Sequence, residues 1–401
     1  MASTAVAVGL LLVLYGGIVE RMAELPSSSD FAKFYLSARF LRQGRDIYAP
    51  ADDGVVESLG GEAPSEAFVL HPNLNPPFFS ALLAPLSGLD YAVAYRVWSW
   101  LSLAAGVTAA LLMERQTRAG PTSLARPLGA VALLLLYFPT LAAVIFGQVS
   151  LFLLLALVLA WRWLRDGREA GAGAALGLAA GVKLFVLLPL FFFLVRRRRR
   201  ALAAAAVTGA GTLLIGLAAA GPDAYRSYLA AAAGVTWYAA SWNASLLGFL
   251  SRILGGSENV PLWNVPWLAH GLTYALALAA VAALAWLTWP RRGESAAVEE
   301  LGYGLALALM LLLSPLGWMY YFPALAPALL AAWRWARTRA VRVLCLAAVA
   351  LSGVPRFLVP SEEVNDPWMW FTWCGAYFYG LVLLSGVLLW LLAREREGAR
   401  C

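Results

Sequence analysis

AGAGAALGLAAGVKLFVLLPLFFFLV, residues 170–195, is the stretch on which the topology of this chain turns. It is apolar throughout except for Lys183. Arg162, Arg165 and Arg168 precede it, and Arg196 to Arg200 follow it. Cytoplasmic loops carry an excess of Lys and Arg, so a single crossing would strand one arginine group outside. Two short helices bent near Gly181-Val182-Lys183 keep both groups inside. Each arm is then about 13 residues, roughly 20 Å of helix, against ~30 Å of hydrocarbon. The bend would reach the outer half of the bilayer without emerging. Helix ends at that depth are tolerated only where protein buries them or where they line a cavity. The hairpin therefore predicts a cavity.

The rest of the chain agrees with a membrane setting. Of 401 residues, 61% are hydrophobic and 13% charged, with a mean hydropathy of +0.71. Soluble domains carry about 25% charge, so the composition is that of an all-α polytopic membrane protein. The net charge of +7 reads as basic cytoplasmic loops rather than a nucleic-acid surface. The opening apolar run, Ala5 to Val19, is expected to be an uncleaved first span. Further spans are expected near 91–113, 127–146, 148–164, 201–220, 265–289, 301–316, 321–336, 340–355 and 372–393. With the hairpin this makes about twelve transmembrane helices in a single integral domain, 1–401, both termini inside. Outer loops with helical pieces fall at about 21–77, 221–266 and 356–370. The cytoplasmic loops are too short for a nucleotide-binding domain. Cys345, Cys374 and Cys401 have no metal-ligand or redox spacing, and no metal site is expected.

Most candidate site residues lie on the outer side of this topology. Asp30 opens the stretch SDFAKFYLSARFLRQGRDIY, residues 29–48. That stretch reads as a helix on the membrane surface, with Phe31, Phe34, Tyr35, Ala38 and Leu41 on its apolar side. Lys33 and Arg39 face away from that side. Ser28-Ser29-Asp30 is also a helix start signal, so Asp30 has a capping role as its plain alternative. Asn75, before Pro76-Pro77, has an amide suited to sugar hydroxyls. Gln148 sits in a very short turn, Phe146-Gly147-Gln148. Lys183 and Lys33 are the chain's only lysines; every other basic residue is Arg. A lysine in so long an apolar stretch costs roughly 2.5–3.5 kcal/mol to insert. Its partner is either a phosphate, which lysine meets as a point charge, or a carboxylate. Asn243, Ser245 and Arg252 gather amide, hydroxyl and guanidinium beside aromatics. Tyr320 and Tyr321 end a Ser314-Pro315-Leu316-Gly317-Trp318 segment at an outer membrane edge. The acids Asp52, Asp53, Glu57, Glu62 and Glu66 and the nearby His71 make no metal site.

Six segments taken in order resemble a known group: DFAKFYLSARFLRQGRDIYAP, NPPFFSALLAPLSGL, FGQVSLFLLLAL, GAALGLAAGVKLFVLLPLFFFLVRRR, NASLLGFLSR and LLLSPLGWMYYF. They are similar to the glycosyltransferases of family 87, a GT-C-type membrane family that includes bacterial polyprenyl-phosphate-mannose-dependent mannosyltransferases. The resemblance implies a GT-C-type fold in the bacterial plasma membrane, with an active site facing outward. It implies a hexosyltransferase that moves a hexose, mannose in the named relatives, from a polyprenyl-phosphate donor. The acceptor would be a lipid or glycan, the product inverted, and Asp30 the general base. Lys183, Arg252, Asn75, Gln148, Asn243, Ser245, Tyr320 and Tyr321 would bind substrate, with no cofactor beyond the lipid-linked sugar. The expected partners are that donor, a glycolipid or glycan acceptor and membrane lipids, with no nucleic acid. The alternative from another class is a polytopic transporter or lipid flippase. Paired repeats with interrupted helices would mark one, and the chain has no internal repeat.

Overall fold

The computed structural model describes residues 2–50, 54–55, 58–60, 72–115, 125–359, 369 and 372–398. The acids Asp52, Asp53, Glu57, Glu62 and Glu66, His71 and most of the 356–370 loop lie outside them. Every described element is a helix, and the sole extended pairing among the described residues is an isolated bridge between Asn243 and Trp318.

Five described helices are long and apolar enough to cross a bilayer: Thr4–Ala23, Tyr91–Glu114, Arg199–Ala233, Pro266–Thr288 and Trp373–Glu397. A sixth crossing is available if Leu128–Leu136 and Phe138–Ile145, bent by 67°, form one broken span. Val13, Val207 and Leu278 are 74%, 75% and 72% exposed on these long helices. Apolar surface of that extent needs lipid to cover it. The remaining expected spans coincide with shorter helices, Ser150–Arg165, Ala296–Leu312, Ala326–Trp335 and Arg339–Ser352. At 1.5 Å per residue these reach roughly 15–25 Å, so the expected number of about twelve counts helices shorter than a full crossing. The 170–195 stretch breaks where its lysine sits. A helix runs Glu169–Val182, Lys183 lies outside it, and a 3-10 turn Leu184–Val186 leads into Leu187–Val195.

The contacts group into two compact units, each assembled from separated pieces of chain. The first comprises Met1–Asp166, Ala174–Leu184 and Ala204–Val235. The second comprises Gly167–Gly173, Phe185–Ala203 and Thr236–Cys401.

In the first unit, the bend in the broken span has a local cause. Pro139 lacks an N–H and its ring crowds the carbonyl four residues back. That carbonyl, Leu135 O, accepts instead from the buried Tyr15 hydroxyl of the first helix at 2.8 Å. Irregular backbone inside a membrane protein persists when a neighbour satisfies it in this way. Gly177 allows a second close approach: a Cβ there would lie 2.5 Å from Ala205 O.

The helix headed by Asp30 departs from its expected setting. Phe31–Arg42 forms as read, but Phe31, Ala32, Phe34, Tyr35, Leu36, Ser37, Ala38 and Phe40 are all buried. It packs against Pro77–Leu83 on one side. The returning chain meets another side, where the Ser37 hydroxyl donates to Ile47 O at 2.8 Å. Ile47 and Tyr48 in turn pack on Ala224 and Tyr228. A helix with one wetted face would leave Leu36 and Ser37 open; this one is enclosed on nearly every side.

In the second unit, arginines expected in cytoplasmic loops finish helices. Arg196 donates to Thr288 O at 3.0 Å, and Arg396 to Trp289 O at 2.6 Å and to Leu287 O. These are carbonyls at the end of Pro266–Thr288, where the helix itself supplies no donors. Basic side chains also suit the negative end of the helix dipole. Glu294 pairs with both Arg196 and Arg396. Charge and capping are thus met by the same residues.

Candidate active site

Ser29, not Asp30, caps the Phe31–Arg42 helix. Ser29 is extended at φ −127°, ψ 132°, and its Oγ accepts from Phe31 N at 3.1 Å. Asp30 is already helical at φ −61°, ψ −20°, and its side chain makes no capping bond. Its carboxylate is therefore free to face elsewhere, while its charge still suits the positive end of the helix dipole.

Two side chains hold that carboxylate. Lys33, one helical turn on, lies with Nζ 2.6 Å from Oδ1, the two side chains being 15% and 25% exposed. Gln148 Nε2 donates to Oδ2. The sequence reading turned Lys33 outward, away from the apolar side; the structure turns it back onto Asp30. The i, i+3 spacing of Asp30 and Lys33 was the signal that could have found it.

Gln148 reaches Asp30 because of the turn that carries it. The Phe138–Ile145 helix ends in a Schellman arrangement: Gly147 N donates to Val144 O at 2.9 Å and Gln148 N to Ala143 O at 2.8 Å. Gly147 adopts φ +59°, and a Cβ there would sit 2.6 Å from Phe31 Cβ. Phe31 N donates to Phe146 O at 3.1 Å, and Trp98 Nε1 to Gly147 O at 2.8 Å. The Phe31 ring is boxed by Tyr91, Tyr95 and Trp98, with centroids 5.6–5.8 Å away. Turn and helix start are thereby locked together, with Asp30 and Gln148 facing.

Gly147→Ala tests this lock. The left-handed backbone alone costs a non-glycine residue about 1–2 kcal/mol, and the Phe31 clash adds to it. We expect a lower thermal midpoint together with loss of activity. Wild-type values for both would show that the turn is not needed.

Lys183 belongs to the same locus. Its Nζ donates to Leu74 O at 3.3 Å, and its charge lies within electrostatic reach of both Lys33 and Asp30. Lys33 thus pairs with Asp30 directly, while Lys183 bonds the Leu74 carbonyl and feels the same carboxylate through space. Next to Leu74, Asn75 is fully buried with neither Nδ2 nor Oδ1 paired among the described residues. Its backbone is held: N donates to Asn73 Oδ1 at 3.0 Å, and O accepts from the Tyr48 hydroxyl at 2.6 Å. Burial, then the neighbouring Tyr228, Tyr225 and Asp46, push the Tyr48 phenol above its ordinary range, keeping it a neutral donor. An unsatisfied buried amide costs about 1–3 kcal/mol. Such a group is a candidate for contact with a bound molecule.

The second unit assembles its own set. Asn243 Nδ2 donates to Tyr238 O at 2.8 Å and Pro315 O at 2.9 Å, and Oδ1 accepts from Ser245 N and Gly317 N. Ser245 caps the Leu246–Leu254 helix by accepting from Gly248 N at 2.9 Å, and donates to Pro315 O at 3.0 Å. Arg252 is fully buried and donates to the carbonyls of Ala240 at 2.9 Å and Asn243 at 3.0 Å. Burial presses its guanidinium below its ordinary range, to about 10. Its Nε and Nη2 have no partner among the described residues. Asn243 and Ser245 therefore spend most of their polar capacity on backbone, knitting 238–245 to 315–317, while Arg252 braces the 240–243 carbonyls through Nη1. Tyr320 and Tyr321 are buried in an aromatic group with Trp242, Trp318 and Phe185.

Removing Arg252 separates the two kinds of role. Arg252→Met leaves carbonyls unpaired, each worth about 1–3 kcal/mol when buried. We expect the thermal midpoint to fall before any substrate is added; an unchanged midpoint with weakened substrate binding would make its role substrate binding instead.

A family model for glycosyltransferase family 87 matches residues 73–315. The match takes in Asn75, Gln148, Lys183, Asn243, Ser245 and Arg252 and ends short of Tyr320; Asp30 and Lys33 precede it. A search of curated proteins returned no match.

Proposed function

This chain belongs to glycosyltransferase family 87, and on that premise we propose that it transfers a hexose from a polyprenyl-phosphate donor at the Asp30 locus. The observation that carries this reading is the Asp30 carboxylate held by Lys33 and Gln148, with Lys183 within electrostatic reach of it. Two cations and one anion leave a net positive locus, which favours a phosphate, beside a group able to take a proton. The donor sugar is mannose in this reading, and the reaction occurs on the outer face of a bacterial plasma membrane.

The chemistry follows from these groups. An acceptor hydroxyl attacks the anomeric carbon while the bond from that carbon to the phosphate oxygen breaks, inverting the centre. Asp30 takes the hydroxyl proton. Each carboxylate oxygen has two lone-pair sites, so the bonds from Lys33 and Gln148 orient the group without occupying it. The departing lipid phosphate gains charge, and Lys183 stabilises it where that charge develops. Asn75 offers its unpaired amide to sugar hydroxyls. A retaining route would want a second carboxylate as nucleophile; the partners of Asp30 here are a lysine and an amide.

The test is transfer of radiolabel from polyprenyl-phosphate hexoses, mannose and glucose in separate arms, by the purified chain in vesicles. Label appearing covalently on a glycolipid or glycan acceptor supports the reading. Label crossing the vesicle without a new bond supports the transporter instead.

A further inference from the structure

The arginine run Arg196 to Arg200 divides into two sets by what holds each side chain. Arg196 pairs with Glu294, and Arg198 with Glu169 and Glu299. Arg196 also donates to Thr288 O at 3.0 Å, so the run is stitched, within the second unit, to the end of Pro266–Thr288. Arg197, Arg199 and Arg200 lie outside these pairs and are exposed, as are Arg291 and Arg292 just beyond that helix. No carboxylate pairs with any of these five among the described residues; the neighbouring Glu169, Glu294 and Glu299 are already taken.

Arg197 holds its cation there at a backbone cost. The Leu187–Val195 helix ends in a Schellman arrangement: Arg197 N donates to Leu194 O at 3.0 Å and Arg198 N to Phe193 O at 2.9 Å. This puts Arg197 at φ +56°, a left-handed conformation that glycine enters freely and other residues reach only with strain. The other described residues at positive φ are all glycines. Positive charge in this loop could be supplied with glycine at 197 and arginine at its neighbours. What the strained position adds is a guanidinium over the half-exposed Trp289 ring, 4.9 Å from its centroid. Stacking uses the flat face of the group and leaves its edge N–H donors free to fork onto a phosphate. Arg199 and Arg200 are also placed against local preference. They fill the first turn of Arg199–Ala233 with no acid beside them, where cations oppose the helix dipole.

What borders the arginines identifies the occupant. Leu194 and Trp286, the latter one helical turn before Trp289, are apolar and exposed, on two helices that touch each other. Pro266–Thr288 is long and apolar enough to cross a bilayer, so the arginines at its end stand at headgroup depth. A soluble polyanion would meet the arginines and leave Leu194 and Trp286 uncovered; an amphiphile with a phosphate covers both. We propose that Arg197, Arg199, Arg200, Arg291 and Arg292 bind the headgroup of an anionic phospholipid, with its acyl chains along Leu194 and Trp286. The proposal stands apart from the transferase reading, and none of its residues takes part in the transfer step.

The experiment follows the thermal midpoint of the full chain in detergent micelles. Dioleoyl phosphatidylglycerol, dioleoyl phosphatidylcholine and inorganic phosphate are titrated in separate arms. Phosphatidylglycerol is expected to raise the midpoint saturably, and the other two to leave it unchanged. Each arginine near an anionic lipid surface is worth about fivefold in affinity. Arg197→Gly should therefore raise the half-saturating phosphatidylglycerol concentration about fivefold, and Arg199→Gln with Arg200→Gln about 25-fold. Because glycine suits the left-handed turn, the lipid-free midpoint of Arg197→Gly should equal or exceed that of the wild type. Arg199→Lys with Arg200→Lys keeps the charge and is expected to respond as the wild type does. Should the neutral variants fail to insert, the wild type still decides, since its response should weaken as ionic strength rises from about 0.1 M to about 1 M. An equal response to phosphatidylcholine or to inorganic phosphate overturns the proposal. So does a salt-independent response, or an unchanged phosphatidylglycerol response in either neutral variant. A lower lipid-free midpoint in Arg197→Gly with unchanged affinity would make Arg197 a brace on Trp289 and likewise overturn it.

Discussion

Asp30→Asn is expected to lower hexose transfer by about 10²–10⁴-fold, the usual contribution of a positioned general base. This corresponds to about 3–5 kcal/mol of barrier. The amide has the same shape and cannot take the acceptor proton at neutral pH. The fold should survive. Ser29 supplies the cap, the Phe31 ring is held by its aromatic neighbours, and the Gln148 amide can turn to present its oxygen to the new amide group. The thermal midpoint of the purified variant is therefore expected near that of the wild type. Asp30→Glu keeps the charge but moves it by about one bond length, and a 1 Å misplacement can lower a rate about 10²-fold. The Glu variant should thus be slow as well. Near-wild-type transfer by Asp30→Asn would remove it as the base and leave the Lys33 pairing as a structural ion pair.

How much of this was readable beforehand depended on whether the deciding contact was local. Gly147 and the Phe146-Gly147-Gln148 turn were legible because a left-handed helix end writes itself in a few adjacent residues. The break at Lys183 was legible from the arginine groups on both sides of the 170–195 stretch. The burial of the Phe31–Arg42 helix was not. Its polar positions match an amphipathic surface helix; the nearby Ile47 and Tyr48 cover them because Ala224 and Tyr228, about 180 residues further along the chain, pack on that return. The backbone bonds of Asn243 and Ser245 were hidden for a related reason. Polar side chains near a membrane edge look like ligand groups, yet irregular backbone must be satisfied, and here Tyr238, Pro315 and Gly317 claim them first. Asp30 lay between these cases: Ser29 and Asp30 both fit the capping slot, and only the backbone angles show which of them fills it.

Lys183→Met should separate function from stability. The substitution nearly preserves length and flexibility while removing the charge. An intramembrane lysine costs roughly 2.5–3.5 kcal/mol to insert, which offsets the bond to Leu74 O, worth about 0.5–1.5 kcal/mol net, and the attraction of Asp30. The thermal midpoint of the variant is therefore expected to stay near that of the wild type. Transfer should nevertheless fall about 10²–10³-fold, the usual effect of removing one preorganised group that stabilises developing charge. If the proposed donor phosphate gains charge as it departs, the loss should lie in kcat more than in donor KM. Lys183→Arg should restore transfer only in part, since the planar guanidinium is longer and meets phosphate as a fork rather than as a point charge. A lysine retained for structure would give the reverse pattern, a lower midpoint with transfer intact. That pattern would detach Lys183 from the Asp30 locus and with it the reason for placing the donor phosphate there.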